Sequence, residues 1–134
     1  MSIFLDTCIL IYLVESNQEF SDQIGVAMRG AVPTQFCIND LVRLECLVGP
    51  MRRRDADLQA AYTTQLAALR VLDMNRAVFD LGASMRAHDS LKTPDALHVA
   101  TAIQHGCQEF WTGDARLASI NDRIRVRVFQ RIPG

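Results

Sequence analysis

The sequence has almost no lysine and almost no net charge. Lys92 is the one lysine among 14 basic residues, and the formal net charge of the 134-residue chain is -1. A globally basic surface is therefore excluded, and any nucleic-acid binding must come from a local patch of arginines. A uniform preference for arginine is also explained by plain compositional bias, which is the simpler interpretation.

Paired cysteines are also absent. Cys8, Cys37, Cys46 and Cys107 form no C-x-x-C pair and no metal-finger spacing. Each lies among apolar residues, so we expect buried free thiols rather than disulfides. Free thiols are typical of a reducing compartment, which predicts a cytoplasmic protein.

Long apolar runs are missing too. No stretch reaches the roughly 18 residues that a transmembrane helix requires, and no charged segment precedes the first apolar run, as a secretory signal would require. Hydrophobic residues still make up 49% of the chain, which is enough for a packed core. The length suits one domain spanning residues 1–134.

Short apolar runs alternate with helical patterns along the chain. Runs typical of strands occupy residues 2–5, 35–38, 71–74, 109–111 and 126–129. Amphipathic or apolar helical segments lie between them, including an apolar helix over residues 9–14 that is either buried or an interface. This alternation predicts an α/β fold with a parallel sheet between helix layers.

The third helix carries an acid on its apolar side. Leu41, Leu44 and Val48 recur at helical spacing and predict a buried stripe. Glu45 falls on that stripe, where a carboxylate is costly unless it is paired or bound to a metal. Glu45 either has such a partner or lies at the edge of the stripe, and the pattern favours neither. Pro50 predicts the end of this helix.

A helix start is predicted within the segment from Lys92 to His98. Thr93 suits the N-cap and Pro94 the first helical position. Asp95 then lies in the first turn, where a negative charge is worth roughly 0.3–1 kcal/mol against the helix dipole. Taken alone, Asp95 needs no other role, and His98 is more typical of a structural histidine than of a base.

Asp95 is one of four acids that together suggest a shared site rather than separate structural roles. Asp6 and Asp114 follow predicted strands, and Asp95 and Glu45 lie near the starts of helices. In open α/β sheets, ligands bind outside the carboxyl ends of the strands, so one parallel layout can gather all four. Clustered carboxylates repel one another unless a cation compensates, and oxygen-only ligands favour Mg²⁺ or Mn²⁺ over zinc. Such a metal activates water and orients a phosphodiester.

Each acid also has a simpler explanation. Asp6 suits an N-cap, and Thr112-Gly113-Asp114 suits a plain turn. Asp6 with Asp114 would also suit a phosphoaspartate site. The Asp-x-Asp pattern of phosphoaspartate phosphatases is absent, however, because Cys8 follows Thr7.

The acidic motifs as a set resemble those of PIN-domain nucleases. The resemblance rests on Asp6-Thr7, Glu45, the segment from Lys92 to His98, and Thr112-Gly113-Asp114, and it covers essentially the whole chain. Size and motif order are similar to the VapC toxins of bacterial VapBC toxin–antitoxin pairs. The resemblance implies a single PIN-like nuclease domain over residues 1–134, with a three-layer α/β/α fold around a central parallel sheet.

The same resemblance implies an activity and partners. It implies a cytoplasmic Mg²⁺- or Mn²⁺-dependent endoribonuclease that hydrolyses structured RNA (tRNA, rRNA or mRNA) through a metal-activated water. It also implies a homodimer and neutralisation by a VapB-like antitoxin. A catalytically inactive PIN module that binds RNA or a protein partner is the alternative.

The site residues implied by the resemblance form an acidic quartet: Asp6, Glu45, Asp95 and Asp114. Of these, Asp6, Asp95 and Asp114 would hold the metal, and Glu45 would position a water or a second ion. Thr7 and Thr112 would support the site through their hydroxyls. Two positions depart from the family pattern, namely Asn39, where serine is frequent, and Gly113, where asparagine is frequent.

Overall fold

A computed structural model describes residues 1–15 and 18–130. Its centre is a five-stranded sheet in the order β3-β2-β1-β4-β5, in which every neighbouring pair is parallel. The strands are β1 (Ile3–Leu5), β2 (Phe36–Ile38), β3 (Arg70–Val71), β4 (Glu109–Thr112) and β5 (Arg125–Val128). The predicted parallel sheet is confirmed.

Helices connect the strands and cover the sheet, which gives the predicted three-layer α/β/α architecture. They are α1 (Thr7–Val14), α2 (Gln18–Met28), α3 (Asp40–Arg52), α4 (Ala56–Ala67), α5 (Arg76–Asp89) and α6 (Thr93–Gln104), with short 3-10 helices at Pro33–Gln35 and Ala115–Ile120. Within the two described ranges, none of the helices is long and apolar enough to cross a bilayer.

The core is densest along the two central strands. Phe4 and Leu5 of β1 and Phe110 and Trp111 of β4 are fully or almost fully buried. These strands are covered on both faces, which explains why their sequences are continuous apolar runs rather than alternating patterns. All four cysteines are free, as predicted.

Helix α3 differs from its prediction in two ways. Its buried stripe contains Val42, Cys46 and Pro50, whereas Leu44 is 56% exposed. Both sides of α3 carry apolar residues at helical spacing, so periodicity alone does not select the buried one. The helix also continues through Pro50 to Arg52, so the end predicted at Pro50 is wrong. Pro50 is buried on the core side of α3, and this burial offsets the one backbone hydrogen bond that proline cannot donate.

Helix α6 begins one residue earlier than predicted. Lys92 occupies the N-cap without a side-chain hydrogen bond, and Thr93 and Pro94 are the first two helical residues. The prediction of Thr93 as N-cap is therefore wrong, and Asp95 still lies in the first turn. Gly106 follows the helix with a φ of 72°, a left-handed conformation that glycine adopts without strain and that ends the helix.

The strand order creates a switch point between β1 and β4. From β1 the chain builds outward through β2 to β3, and β4 and β5 lie on the other side. Ligand crevices in open parallel sheets form where the strand order reverses, outside the carboxyl ends. Asp6 follows β1 directly and Asp114 lies two residues beyond β4, so both carboxylates occur at this edge.

Candidate active site at the carboxyl edge of the sheet

Asp6 is buried at the centre of the edge and is held by the two strands that flank the switch point. Its backbone N–H donates to the carbonyl of Trp111, and its Oδ1 accepts from the backbone N–H of Thr7 at 2.8 Å. The hydroxyl of Thr112 donates to Oδ2 at 2.7 Å. Asp6 is thus the N-cap of α1 and also a carboxylate oriented by β4, so the simpler N-cap interpretation is correct but incomplete.

Asp114 lies on the turn after β4. Its backbone N–H donates to the hydroxyl of Thr112 at 3.0 Å, so this threonine contacts both acids of the edge. The guanidinium of Arg116 binds both carboxylate oxygens, with Nε 3.0 Å from Oδ1 and Nη2 2.6 Å from Oδ2. These hydrogen bonds, together with the positive charge, lower the pKa of Asp114.

Asp95 faces the same edge from the first turn of α6. Burial raises the pKa of its carboxyl group, and the negative charges of Asp6 and Asp114 raise it further. Asp95 and Asp114 line the same cavity, and Thr112 contacts both Asp114 and Asp6. The three acids, which are far apart in sequence, therefore lie at one edge of the sheet.

Glu45 reaches the edge from α3. Its Oε1 accepts hydrogen bonds from the hydroxyl of Thr7 at 2.8 Å and from Nε2 of His98 at 2.6 Å. Burial opposes its ionisation, but the bonds from His98 and Thr7 outweigh burial and lower the pKa of Glu45. The question that the sequence left open is thereby answered: the acid is paired, and its side chain stays 31% exposed.

Sequence reasoning underestimated two residues of this site. His98 is almost completely buried and its Nε2 binds Glu45, whereas Nδ1 has no hydrogen-bond partner among the described residues. Its position one helical turn after Asp95 was the available signal. Arg116 was not singled out, although its place two residues after Asp114 was visible.

The donor set suits a hard divalent cation. Carboxylate oxygens are the preferred ligands of Mg²⁺ and Mn²⁺, and a cation would compensate both the burial and the like charges that raise the pKa of Asp95. Over residues 1–15 and 18–130, no three His, Cys, Asp or Glu side chains lie in a ready-made ligand geometry.

Comparison with known proteins agrees with this architecture. The PIN domain family matches residues 3–122, and none of the curated proteins matches the chain significantly. A toxin–antitoxin complex from Klebsiella pneumoniae is similar, with 25% identity, a TM-score of 0.77, and coverage of 98% of this chain and 100% of that one.

Two more distant structures share the fold. VapBC2 from Rickettsia felis, bound to a DNA fragment from its promoter, has 16% identity and a TM-score of 0.79, with coverage of 96% of this chain and 99% of that one. Mycobacterium tuberculosis VapC20, a sarcin–ricin loop cleaving toxin, has 20% identity and a TM-score of 0.74, with 94% and 99% coverage. Because the family match spans most of the sequence, the chain belongs to the PIN domain family.

Proposed function

We propose that this protein is a Mg²⁺- or Mn²⁺-dependent endoribonuclease and the toxin component of a type II toxin–antitoxin system. The observation that carries the proposal is the placement of three acids at the β1–β4 switch point: Thr112 contacts both Asp6 and Asp114, and Asp95 lines the same cavity as Asp114. Burial and these two neighbouring charges raise the pKa of Asp95. Such a cluster is costly unless it compensates a bound positive charge.

Asp6, Asp95 and Asp114 are the residues that would hold the metal. When bound, a divalent cation supplies activation of water and stabilisation of charge on a phosphodiester. Thr112 orients Asp6 through the hydrogen bond to Oδ2. Thr7 connects Asp6 to Glu45, because its backbone N–H binds the first and its hydroxyl the second.

Glu45 is suited to position an attacking water or a second ion. Its lowered pKa keeps the carboxylate ionised at neutral pH. Thr7 and His98 both donate to Oε1, so Oε2 is left without a hydrogen bond in the described part of the chain. A fixed, ionised carboxylate with one open oxygen can accept a hydrogen bond from a water or bind a cation.

RNA is the proposed substrate because its loops present splayed phosphodiesters to a crevice site. The similar VapC20 is a sarcin–ricin loop cleaving toxin, which supports RNA over DNA. Several similar structures are toxin–antitoxin or VapBC complexes, which supports a VapB-like antitoxin as partner. We also propose one PIN-like domain over residues 1–134, a homodimer and a cytoplasmic location.

One observation favours a second candidate, a catalytically inactive PIN module that binds RNA or a protein. Both oxygens of Asp114 are engaged by Arg116, so the acid set is incomplete as it stands. Metal binding measured by calorimetry, together with no RNA cleavage at any Mn²⁺ concentration, would favour the inactive module over the nuclease.

The first test is RNA cleavage by the wild type and by Asp95→Asn. Purified, antitoxin-free protein is incubated with total cellular RNA and Mn²⁺ or Mg²⁺, with and without EDTA, and new 5′ ends are sequenced. We expect discrete cuts that require metal and that decrease on the order of 10²-fold or more in Asp95→Asn, because a charged ligand is lost. Asp80→Asn, an exposed acid on α5, is the matched control and retains the cuts.

The same variant reports on folding. Because the fold raises the pKa of Asp95, the free energy of unfolding decreases as the pH rises through the interval between the unfolded and folded pKa values. Asp95→Asn removes that decrease, so the variant should be at least as stable as the wild type at neutral pH in urea unfolding. Full cleavage by folded Asp95→Asn would show that the site assignment is wrong, and no cuts with any metal would favour the binding module.

A further inference from the structure

Arg116 engages both oxygens of the Asp114 carboxylate in the structure. Its Nε and Nη2 bind the two oxygens as a fork, and its backbone N–H donates to Oδ1 at 3.0 Å. The arginine side chain is 72% exposed, so this ion pair is in contact with solvent and is screened by it. A second anion that presents two suitably spaced acceptor oxygens can therefore compete with Asp114 for the guanidinium.

The ion pair borders a cavity of about 240 Å³ that also contains Asp95. At ~30 Å³ per water molecule, this volume holds roughly eight waters, which is more space than an ion requires. Lys92 and Arg116 line the cavity together with the hydroxyl-bearing residues Ser90 and Ser119.

Cations and hydroxyls of this kind suit an anion with several acceptor oxygens. The third acid of the wall, Asp89, is neutralised by Arg123 at 2.7 Å. Lys92 forms no ion pair within residues 1–15 and 18–130, although its charge helps to lower the pKa of Asp114. The wall of the cavity thus combines three acids, two of which are paired with arginines, with two cations and two hydroxyl-bearing side chains.

We propose that this cavity binds a phosphate of the RNA backbone next to the cleaved bond, and that Arg116 moves from Asp114 to that phosphate when RNA binds. The proposal rests on the proposed RNA substrate and deepens it. Arg116 supplies a bidentate fork, and Lys92 supplies a point charge. The move also frees Asp114 to join Asp6 and Asp95, so substrate binding completes the acid set.

The test measures RNA binding without cleavage. Fluorescence anisotropy follows a labelled single-stranded RNA oligonucleotide in EDTA, for the wild type, Arg116→Gln, Lys92→Gln and the control Arg29→Gln. Arg29 is exposed and lies between α2 and β2, toward the amino edge of the sheet. All three variants change the net charge equally, so only the position of the lost charge differs.

We expect a roughly three- to tenfold loss of affinity for Arg116→Gln and for Lys92→Gln at low salt, and little change for Arg29→Gln. The slope of log affinity against log salt should become shallower by about 0.7 for each phosphate contact removed.

A double-mutant cycle separates the move of Arg116 from plain charge repulsion. Asp114→Asn should increase RNA affinity more in the presence of Arg116 than in the Arg116→Gln background, because it releases the arginine. Repulsion alone predicts the reverse order, since Asp114 repels RNA most when Arg116 is absent.

Four results would overturn the subsite. Equal losses for Arg116→Gln and Arg29→Gln, or the reversed order in the cycle, would do so and would leave the RNA function intact. If Arg116→Gln and Lys92→Gln lost affinity for a polyglutamate peptide but not for RNA, the cavity would instead bind an acidic protein partner. If the wild type neither binds nor cleaves RNA, the proposed function fails together with the subsite.

Discussion

His98 illustrates how one buried side chain controls an acid of the site. Nε2 is 2.6 Å from Oε1 of Glu45, and the imidazole packs against Phe4 with ring centroids 5.9 Å apart. Thr7 donates to the same oxygen, so two residues from α1 and α6 determine how Glu45 is oriented on α3. A buried polar atom that loses its partner is costly, so this pair contributes to stability as well as to the site.

We predict that His98→Phe lowers the free energy of unfolding by ~1–3 kcal/mol at neutral pH. The fold lowers the pKa of Glu45, so this carboxylate adds stability above its unfolded pKa, and the contribution disappears as the pH falls through the lower folded pKa. The difference between wild type and His98→Phe should therefore shrink in acid, as measured by urea unfolding across pH. His88→Phe, on the exposed end of α5, is the control, and an equal pH-dependent effect there would contradict the prediction.

Gly113 has a steric explanation for its departure from the family pattern. A Cβ atom at this position would lie 2.5 Å from the phenol oxygen of Tyr12. The Tyr12 ring is stacked on Phe20 with centroids 4.2 Å apart, so it is held in place from its other side. Glycine allows Tyr12 to pack against the turn that carries Asp114.

The positions of α3 and α6 are coupled by a buried polar bridge. Asn39, the fully buried N-cap of α3, accepts from the backbone N–H of Val42 at 2.9 Å and donates to the hydroxyl of Thr101 at 2.9 Å. Thr101 in turn donates to the carbonyl of Leu97 at 2.7 Å. Because Glu45 is on α3 and His98 on α6, this bridge holds the two helices in the register that their pairing requires.

We predict that Asn39→Ser is destabilising by ~1–2 kcal/mol, because serine can cap α3 but is too short to reach Thr101 as well. Thr101→Val leaves the Asn39 amide unsatisfied and should cost ~1–3 kcal/mol. Asn75→Ser is the matched control, since Asn75 is an exposed N-cap of α5 that serine can replace at almost no cost in stability. Chemical denaturation measures all three, and equal costs at Asn39 and Asn75 would contradict the bridging role.

The apolar helix over residues 9–14 divides its side chains between the core and the surface. Ile9 and Leu10 are fully buried, whereas Ile11 is 37% exposed. Helix α1 packs against α3, whose Leu44 and Met51 are 56% and 53% exposed. These exposed apolar residues are the candidates for the interface of the proposed homodimer.

We predict that the wild type is a dimer and that Ile11→Asp combined with Leu44→Asp converts it to a folded monomer, because charges are costly in an apolar interface. Light scattering after size exclusion measures the mass, and circular dichroism checks the fold. Val26→Asp, at a 58% exposed position on α2, is the control. A monomeric wild type, or a dimer unaffected by the double substitution, would contradict the predicted interface.

Local signals in the sequence were sufficient for the order of the elements and for the placement of the acids at their ends. Asn39 capping α3 and Gly106 ending α6 each depend on contacts within a few residues, so they were predictable. The parallel sheet followed from alternating strands and helices, and it brings the ends of distant strands to one edge. The family resemblance is confirmed by the PIN domain match, whereas the roles of the four acids stay predictions.

Contacts between residues that are far apart in sequence could be identified only in the tertiary structure. Which side of α3 is buried depends on its neighbours, because both sides offer apolar residues. Glu45 and His98 are 53 positions apart, and their pairing depends on the packing of α3 against α6. The Arg116 fork joins residues only two positions apart, yet the role proposed for it depends on Asp95 and Lys92 lining the same cavity. Periodicity records which residues share one helix face, but the charges and burial that set a carboxylate's pKa come from other elements.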